Sequence, residues 1–476
     1  MAQSSIKTSL VFNVTRRDAE LVPPARPTPY EYKELSDIDD QEGLRFQIPG
    51  ILFYRNEDKN LTGSNYRGRD PAKVIKEAVA KALVWYYPLA AGRLMEISGR
   101  KLMVNCNGEG IMFIEAEADA DADVTLQDFG EALQPPFPCF EQLLFDVPGS
   151  TNVLDSPLIL IQVTRLKCGG FILAIRLNHT MTDAPGLFQF MNAVAELARG
   201  AQSPSILPVW ERHLLIAREP PRATCEHREY DEVANSNINN TIIPLDDMVH
   251  KSFFFGPTEI AALKRFIPPY VKSSTFEIIT ACLWRCRTIS LQLDPEEIVR
   301  MICIVNSRSL FNPPLPLGFY GNTFAFPVAI SSAGKLSSNP IGYAFDLIKK
   351  TKANVTQKYM LSLAAFMVLK GRPHFTVVRT FMVSDVTRTG FGELDYGWGP
   401  SKYGGPAKAG VGAIPGVASF YIPFKNGKGE RGIVVPICLP GNAMQIFIKE
   451  LNSLLGDSPE HPIASSGLSR SISSSL

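Results

Sequence analysis

The feature that most restricts the fold of this chain is a pair of β-forming runs separated by a turn with two glycines. The runs are 158–166 and 171–177, and Lys167-Cys168-Gly169-Gly170 lies between them. This pattern is typical of a β-hairpin. Similar runs recur along the chain, mixed with helical segments and without a regular βαβ repeat. Such a mixture favours an α/β fold with mixed sheets over a doubly wound parallel sheet.

A helix with well-marked boundaries precedes the hairpin. Asp70 is placed to cap it, Pro71 suits its first position, and apolar residues from Val74 to Leu83 recur at helical spacing. Further helices are predicted at 186–198, 274–288, 341–355, 359–369 and 444–455, and further strands at 46–53, 102–104, 112–115, 301–306, 322–330, 375–383, 417–423 and 432–438.

The length of the chain and a long segment without periodicity indicate two α/β domains. A chain of 476 residues exceeds the usual domain size of about 100–200 residues. The segment 201–240 is rich in proline, arginine, glutamate and asparagine and has little periodicity, so it is predicted to connect the domains. The first domain then spans 1–200 and the second 241–460, with part of 380–405 packing against the first. A serine-rich flexible tail is predicted at 461–476.

Composition excludes several classes of protein. Hydrophobic residues make up 45% of the chain and charged residues 20%, which excludes a mostly disordered protein. The 48 basic and 47 acidic side chains give a net charge of +1, so neither nucleic acid nor a membrane is expected as a partner. No apolar run reaches the roughly 18 residues of a membrane span. The eight scattered cysteines indicate free thiols in a reducing compartment.

Among the six histidines, His179 has the context that best suits catalysis. It follows the run 171–177 and precedes a loop, so a strand can hold its imidazole at a cleft and let it act as general base for an alcohol. Asp183 lies four residues on, where it can cap the next helix or bind a distant arginine. The spacing alone leaves open that His179 is a satisfied structural histidine. The other histidines are predicted to lie on the surface: His213, His227, His250, His374 and His461.

Motifs for other chemistries are absent from the sequence. It has no GxSxG, GxxxxGK[ST] or HExxH motif, which disfavours a serine hydrolase, a nucleotide phosphotransferase and a zinc protease. The acidic segment 115–123 lacks the glycine and the distal glutamate of a calcium loop and is predicted to be solvated. The string 392–400 has two glycines around Trp398 but neither a nucleophile nor a base, so it is predicted to be a packed structural loop.

Two of these features together resemble the signatures of the plant BAHD acyltransferases, HxxxD and DFGWG. His179-x-x-x-Asp183 is followed more than 200 residues later by Asp395-Tyr396-Gly397-Trp398-Gly399. The resemblance extends from about residue 9 to about residue 455, and it is closest to the alcohol acyltransferase branch. Other strings similar to the family or to this branch occur at 23–29, 35–39, 41–47, 86–94, 133–139, 306–308, 320–322 and 383–388.

The resemblance implies two chloramphenicol-acetyltransferase-like domains with mixed sheets flanked by helices and an active-site channel at their interface. It implies His179 as the base at the middle of the channel, with Asp183 turned away and paired with Arg308. Ser273 and Ser274 match the turn that contacts CoA at a helix start. Acyl-CoA is the implied co-substrate, with no permanently bound cofactor and no metal. The residues implied to support the site as a structural loop are Asp395, Gly397, Trp398 and Gly399.

The sequence departs from the family pattern at four places. Tyr396 replaces the usual phenylalanine, the string 87–93 carries one more residue than usual, and Leu310 stands where a second arginine is common. Asp385 occupies the place where relatives with phenolic acceptors have a tryptophan beside the reacting centre. Asp385 is therefore a candidate pocket residue, and the acceptor preferences of those relatives do not transfer to this chain.

The implied function is that of an acyl-CoA:alcohol O-acyltransferase, with benzoyl-CoA and benzyl alcohol as the expected donor and acceptor. The alternatives are an acetyl-CoA-dependent enzyme for aliphatic alcohols and a non-catalytic binding protein of the same fold. A condensation domain is disfavoured because Asn178 and Ala184 replace the flanking residues of HHxxxDG.

The C-terminal Ser474-Ser475-Leu476 is a variant of the peroxisomal address S-K-L. A peroxisomal import receptor is thus an expected partner, and the peroxisome is favoured over the cytoplasm.

Overall fold

The computed structural model describes residues 10, 12–56, 70–118, 124–129, 133–145, 153–154, 156–233, 247–410 and 416–456. The predicted tail 461–476, with Ser474, Ser475, Leu476 and His461, lies outside the described residues, as does 119–123 of the acidic segment.

The first half of the chain builds most of a seven-stranded mixed sheet, with α1 and α3 packed against each other beside it. Its strands follow the order β1-β7-β8-β9-β4-β16, with β2 also paired to β7, and β3, β6 and β5 form a small separate sheet. Only β7 and β8 run parallel among these pairs. The elements are β1 (Val14–Arg16), β2 (Glu20–Val22), β3 (Glu31–Glu34), β4 (Gln47–Tyr54), α1 (Pro71–Trp85), β5 (Leu94–Glu96), β6 (Leu102–Cys106), β7 (Ile111–Ala118), α2 (Phe140–Leu143), β8 (Ile159–Arg165), β9 (Phe171–Asn178) and α3 (Ala184–Ala198), together with β16 (Tyr403–Pro406) from the second half.

Local sequence explains the elements that position the site. The strands β8 and β9 form the expected hairpin, and Gly169 in its turn has a φ of 77°, in the left-handed region that favours glycine. Asp70 caps α1 by accepting a hydrogen bond from the Ala72 amide at 3.2 Å. Asp183 caps α3 by accepting from the Gly186 amide at 3.1 Å. The end of β9 and the start of α3 are therefore both fixed, with a short turn between them.

The second half builds a six-stranded mixed sheet in the order β10-β18-β17-β15-β11-β14. The strand β15 runs parallel to both of its neighbours, and the other pairs are antiparallel. The elements are β10 (Met248–Phe255), α4 (Pro257–Lys264), α5 (Thr275–Ser290), β11 (Ile298–Cys303), β12 (Val305–Asn306), β13 (Phe324–Ala325), β14 (Val328–Ser332), α6 (Ala333–Ser338), α7 (Ile341–Ala353), α8 (Gln357–Leu369), β15 (Thr380–Asp385), β17 (Ala418–Lys425), β18 (Arg431–Pro440) and α9 (Gly441–Leu455). The α/β class and the mixed sheets predicted from the sequence are confirmed.

The two halves meet along shared strands and a shared apolar core. The strand β16 belongs to the second half by sequence but pairs with β4, with Tyr403 opposite Phe53. One core cluster joins Phe53 and Phe137 of the first half to Phe420 of β17. The seam between the sheets is therefore covered by apolar side chains from both. None of the helices in the described part of the chain is long and apolar enough to cross a membrane.

The structure corrects three of the predicted strands. The prediction of a strand at 375–383 was wrong for its first half, because Thr376 bonds to the connecting segment and Arg379 has a φ of 51°. The predicted strands 301–306 and 322–330 are each divided, into β11 and β12 and into β13 and β14. In the second case Pro327, which has no amide hydrogen, lies between the two parts.

Candidate active site

A cavity of about 950 Å³ lies between the two sheets. Its wall takes residues of β4, β9 and the start of α3 from the first half, and of β15 and β17 from the second. Among the candidates from the sequence, four line it: His179, Asp183, Arg308 and Asp385. The remaining candidates are not among the lining residues: Ser273, Ser274, Asp395, Gly397, Trp398 and Gly399.

His179 stands just beyond β9, where the strand meets the turn before α3. Its amide donates to the Phe46 carbonyl oxygen at 2.9 Å, which continues the pairing of β9 with β4. Its ring centroid lies 5.4 Å from that of Phe46 and 5.9 Å from that of Phe324. Burial lowers the pKa of the His179 imidazole, and the Asp183 carboxylate acts in the opposite direction. The ring is therefore neutral near pH 7, which is the form that a general base requires.

Asn322 determines which nitrogen of His179 carries the proton. The Asn322 amide nitrogen donates to the carbonyl oxygen of His179 at 2.8 Å and to the Asp39 carboxylate at 2.9 Å. Because both partners are acceptors, the amide orientation is fixed, and the Asn322 Oδ1 atom faces His179 Nδ1 at 3.2 Å. An oxygen at that position accepts a hydrogen bond, so Nδ1 carries the proton. The lone pair is then on Nε2, which is free to accept a proton from a substrate.

Asp39 and Arg212 hold Asn322 in place. Asp39 accepts from the Asn322 backbone amide at 2.8 Å and from Arg212 Nη1 at 2.9 Å. Both charged side chains are almost fully buried, with 1% of Arg212 and none of Asp39 exposed. Arg212 also donates to the Met181 carbonyl oxygen at 2.8 Å, in the turn that follows His179. Asp39, Arg212 and Asn322 come from three distant segments and were not assigned a role from the sequence, although 35–39 and 320–322 resemble family strings.

Asp183 and Arg308 form a bidentate ion pair across the two halves. The Arg308 Nη1 and Nη2 atoms each lie 2.7 Å from one carboxylate oxygen of Asp183. The amides of Gly186 and Thr323 donate to the same carboxylate at 3.1 and 3.2 Å. Within the described residues His179 hydrogen-bonds Asn322 rather than Asp183. The carboxylate therefore fixes the turn after His179 and does not bind the ring.

The loop that contains Asp395 docks on the far side of the first half. Asp395 accepts from the amides of Gly397 and Gly399 at 2.7 and 2.9 Å, and both glycines have positive φ, 104° and 81°. The Trp398 ring packs edge-on against Phe171 of β9 at 5.3 Å. The fully buried Tyr396 hydroxyl has no hydrogen-bond partner among the described residues. This loop therefore supports β9 from outside the cavity.

The side chains of Ser274 and Asp385 are occupied by local bonds. Ser274 caps α5, accepting from the Glu277 amide at 3.2 Å, while the Glu277 carboxylate accepts from the Ser274 amide at 2.9 Å. Asp385 lines the cavity and is exposed, and its carboxylate accepts from the amide and the hydroxyl of Thr387 at 2.9 and 2.6 Å. These bonds direct the Asp385 carboxylate into its own turn.

The prediction of a surface position is wrong for one histidine, and a second, which is exposed as predicted, also lines the cavity. His227 is buried, 6% exposed, because its ring bonds Glu229 and Ser362 at 3.3 and 2.9 Å and packs against Tyr359. His374 is exposed but lines the cavity, with its ring 4.4 Å from that of Phe375. All eight cysteines are free thiols. In the part of the chain that is described, no group of three or more His, Cys, Asp or Glu side chains could hold a metal ion.

These features define a class of protein: a two-domain α/β transferase in which a neutral histidine stands at a cavity between the domains. The model of the Transferase family matches residues 12–454, and the chain belongs to this family, that of the BAHD acyltransferases. It is an acyl-CoA-dependent O-acyltransferase.

Similar proteins are known from plants and fungi. The chain is 68% identical to a benzyl alcohol O-benzoyltransferase of Nicotiana tabacum and 66% identical to one of Petunia hybrida, covering 95% of this chain and 96% of each relative. The crystal structure of vinorine synthase covers 93% of this chain and 98% of its own with a TM-score of 0.68 at 23% identity. The crystal structure of F. sporotrichioides TRI101 complexed with coenzyme A and T-2 matches with a TM-score of 0.65 at 16% identity, over 88% of this chain and 97% of that one. These two structures show the fold.

Proposed function

We propose that this enzyme transfers the benzoyl group of benzoyl-CoA to benzyl alcohol, forming benzyl benzoate and free CoA. Two relatives with 66–68% identity over nearly the whole chain are benzyl alcohol O-benzoyltransferases. The observation that carries the chemistry is His179, a neutral histidine whose Nδ1 proton is bound by Asn322, which puts the lone pair on Nε2.

In the proposed reaction His179 Nε2 accepts the hydroxyl proton of the alcohol while its oxygen attacks the thioester carbonyl carbon. The C–O bond forms, and the resulting tetrahedral intermediate collapses with cleavage of the C–S bond. The proton on Nε2 then passes to the departing CoA thiolate, so the ring returns to its starting form. Both substrates are bound together, so the rate gain comes largely from positioning and no acyl-enzyme is needed.

Steady-state rates with a matrix of donors and acceptors test the substrate pair. We expect the highest kcat/KM for benzoyl-CoA with benzyl alcohol, measured by mass spectrometry of the ester. A relative of Malus domestica, 51% identical, is described more broadly as an alcohol acyl transferase, so the alternative expected from the sequence, acetyl-CoA with aliphatic alcohols, is tested beside it. A strong preference for acetyl-CoA would support that candidate and overturn the benzoyl assignment.

The His179→Ala variant tests the base. Losing one general base lowers kcat by about 10²–10⁴-fold. His213→Ala is the matched control, because the His213 side chain is 68% exposed and pairs with Glu211 at the surface. If His179→Ala retained turnover within a few fold of the wild type while still binding CoA, the assignment of the base would be wrong.

We also propose import into peroxisomes through Ser474, Ser475 and Leu476, which stand outside the described residues. The support is the sequence alone, a variant of the S-K-L address. A fluorescent protein fused ahead of this chain is expected to enter peroxisomes of plant cells, and the same fusion without the last three residues is expected to stay in the cytoplasm. Equal distribution of the two fusions would refute the signal.

A further inference from the structure

Two aromatic rings pack against the imidazole of His179. The ring centroid of Phe46 lies 5.4 Å from that of His179, and the ring centroid of Phe324 lies 5.9 Å from it. All three residues line the cavity. A substrate oxygen that reaches the His179 ring therefore arrives beside an apolar surface.

The hydrogen bonds that position His179 also position both aromatic rings. The His179 amide donates to the Phe46 carbonyl oxygen at 2.9 Å, which places the two residues opposite each other where the pairing of β4 with β9 continues. Side chains at opposite positions of an antiparallel pair lie on the same face of the sheet. Phe324 stands two residues after Asn322, whose side chain binds both the ring and the carbonyl oxygen of His179. Each ring therefore has a fixed place relative to the imidazole.

The polar side chains of the turn after His179 are already hydrogen-bonded. The hydroxyls of Thr180 and Thr182 donate to oxygen atoms of the protein. The Asp183 carboxylate accepts from Arg308 and from two backbone amides. A buried water molecule typically makes about three hydrogen bonds. A water molecule beside Nε2 therefore gains few hydrogen bonds from this turn besides the one to the imidazole.

A general base does not by itself distinguish an alcohol from water. With water as the nucleophile, His179 Nε2 would accept a proton from water while the water oxygen attacks the thioester carbon. The C–O bond would form, the C–S bond would break, and the proton would pass to the CoA thiolate, leaving the carboxylic acid and CoA. An apolar surface beside the base opposes this reaction, because it contacts the hydrocarbon part of an alcohol but offers water no hydrogen bond.

We propose that Phe46 and Phe324 make the enzyme select an alcohol over water as the nucleophile, so that acyl-CoA is transferred and not hydrolysed. This selection rests on the proposed role of His179 as the base, because it takes effect at Nε2. The two residues determine specificity: they contact the base but supply neither a proton nor a charge to the reaction.

The test is the rate of benzoyl-CoA hydrolysis without alcohol, divided by the rate of benzyl benzoate formation with benzyl alcohol. Mass spectrometry of benzoate and of the ester gives both rates. For Phe46→Ala we expect this ratio to rise about tenfold, because water that enters the vacated space can hydrogen-bond to the attacking water, and one hydrogen bond is worth about that factor. Phe46→Leu retains an apolar side chain of similar reach and is expected to restore most of the wild-type ratio.

Phe188→Ala is the matched control for the loss of a ring from the same cavity. Phe188 also lines the cavity, but among the described residues its ring contacts that of Phe391, at 6.1 Å, and not that of His179. Phe188→Ala is therefore expected to leave the ratio unchanged. Phe324 is only 4% exposed, so Phe324→Val, which retains an apolar side chain in the core, is the second variant and is also expected to raise the ratio.

An unchanged ratio in Phe46→Ala or in Phe324→Val, or an equal rise in Phe188→Ala, would overturn the proposal. Hydrolysis that persists when His179→Ala is added to Phe46→Ala would overturn it too, because the base would then not activate the water. Failure of the proposed function would look different. The wild-type enzyme would not form benzyl benzoate, or His179→Ala alone would retain the transfer.

Discussion

A single amide determines which nitrogen of His179, the proposed base, carries the proton. Asn322 accepts from His179 Nδ1, while the Asn322 amide nitrogen binds Asp39 and the His179 carbonyl oxygen. The position after a strand predicted His179 as the candidate base. Its partner Asn322, however, lies 143 residues from it in the sequence, and Asp39 lies 283 residues from Asn322. No spacing rule connects such positions, because their contact exists only after the two halves pack together.

The pH dependence follows from the burial of His179. The base works unprotonated, so kcat/KM is constant above its pKa and falls as the pH drops through it. Because burial lowers that pKa, the acid limb is expected below the ordinary imidazole value of about 6.5. The hydrogen bond to Asn322 raises the pKa of His179, so Asn322→Ala is expected to move the limb to still lower pH.

The Asn322→Ala variant is also expected to lower kcat by about 10²-fold, because the His179 ring loses its fixed tautomer. Asn192→Ala is the control, since the Asn192 side chain donates to Glu196 within α3 and is not among the residues that line the cavity. Initial rates between pH 4.5 and 8 would measure both effects. An acid limb that shifts upward in Asn322→Ala, or does not shift, would contradict the assigned role of the amide.

At the level of elements, periodic apolar patterns predicted the six longest of the described helices and the hairpin, but not the short helices α2, α4 and α6, and contact with distant strands decided several strands. Pairing along β4 makes β16 a strand, although its sequence Tyr-Gly-Gly-Pro has no β pattern. The segment 375–378 is apolar and β-branched, yet Thr376 bonds to the connecting segment instead of a sheet. Sequence alone cannot predict these outcomes, since the deciding partner lies in another part of the chain.

The start of α3 is the part of the fold that the addition of a single methyl group is expected to disturb most. Gly186 faces the Thr182 hydroxyl and the Tyr320 carbonyl oxygen so closely that a Cβ would overlap both. Gly186→Ala is expected to lower the free energy of unfolding by about 1–3 kcal/mol, because the turn after His179 must separate from the 320–322 segment. Gly392→Ala is the matched control, as no atom lies within 4 Å of the added Cβ. Denaturant unfolding of both variants measures the difference, and equal stabilities would contradict the packing argument.

At the scale of the whole molecule, buried carboxylates join the two halves around the cavity. Asp37 binds Lys101 of the first half and Arg372 of the second at 2.8 and 2.9 Å. Asp183 and Arg308 make the corresponding pair beside the base. The Asp183–Arg308 pair is expected from the family resemblance, whereas the partners of Asp37 are not, although 35–39 resembles a family string.

A double-mutant cycle on Asp183 and Arg308 measures how strongly the halves are coupled at the site. Because the Asp183 carboxylate is only 5% exposed, Arg308→Met leaves a buried charge unpaired and is expected to cost about 2–5 kcal/mol of unfolding free energy. Asp183→Asn removes that charge, so the double variant is expected to be less destabilised than the sum of the single variants by at least about 1 kcal/mol.

The turn after His179 depends on the same pair, so kcat should fall in each single variant while the KM for benzoyl-CoA changes little. Arg165→Met, which breaks a pair with Asp70 inside the first half alone, should lower stability without lowering kcat. Additive single effects, or an equal loss of kcat in Arg165→Met, would show that the halves act independently at the base.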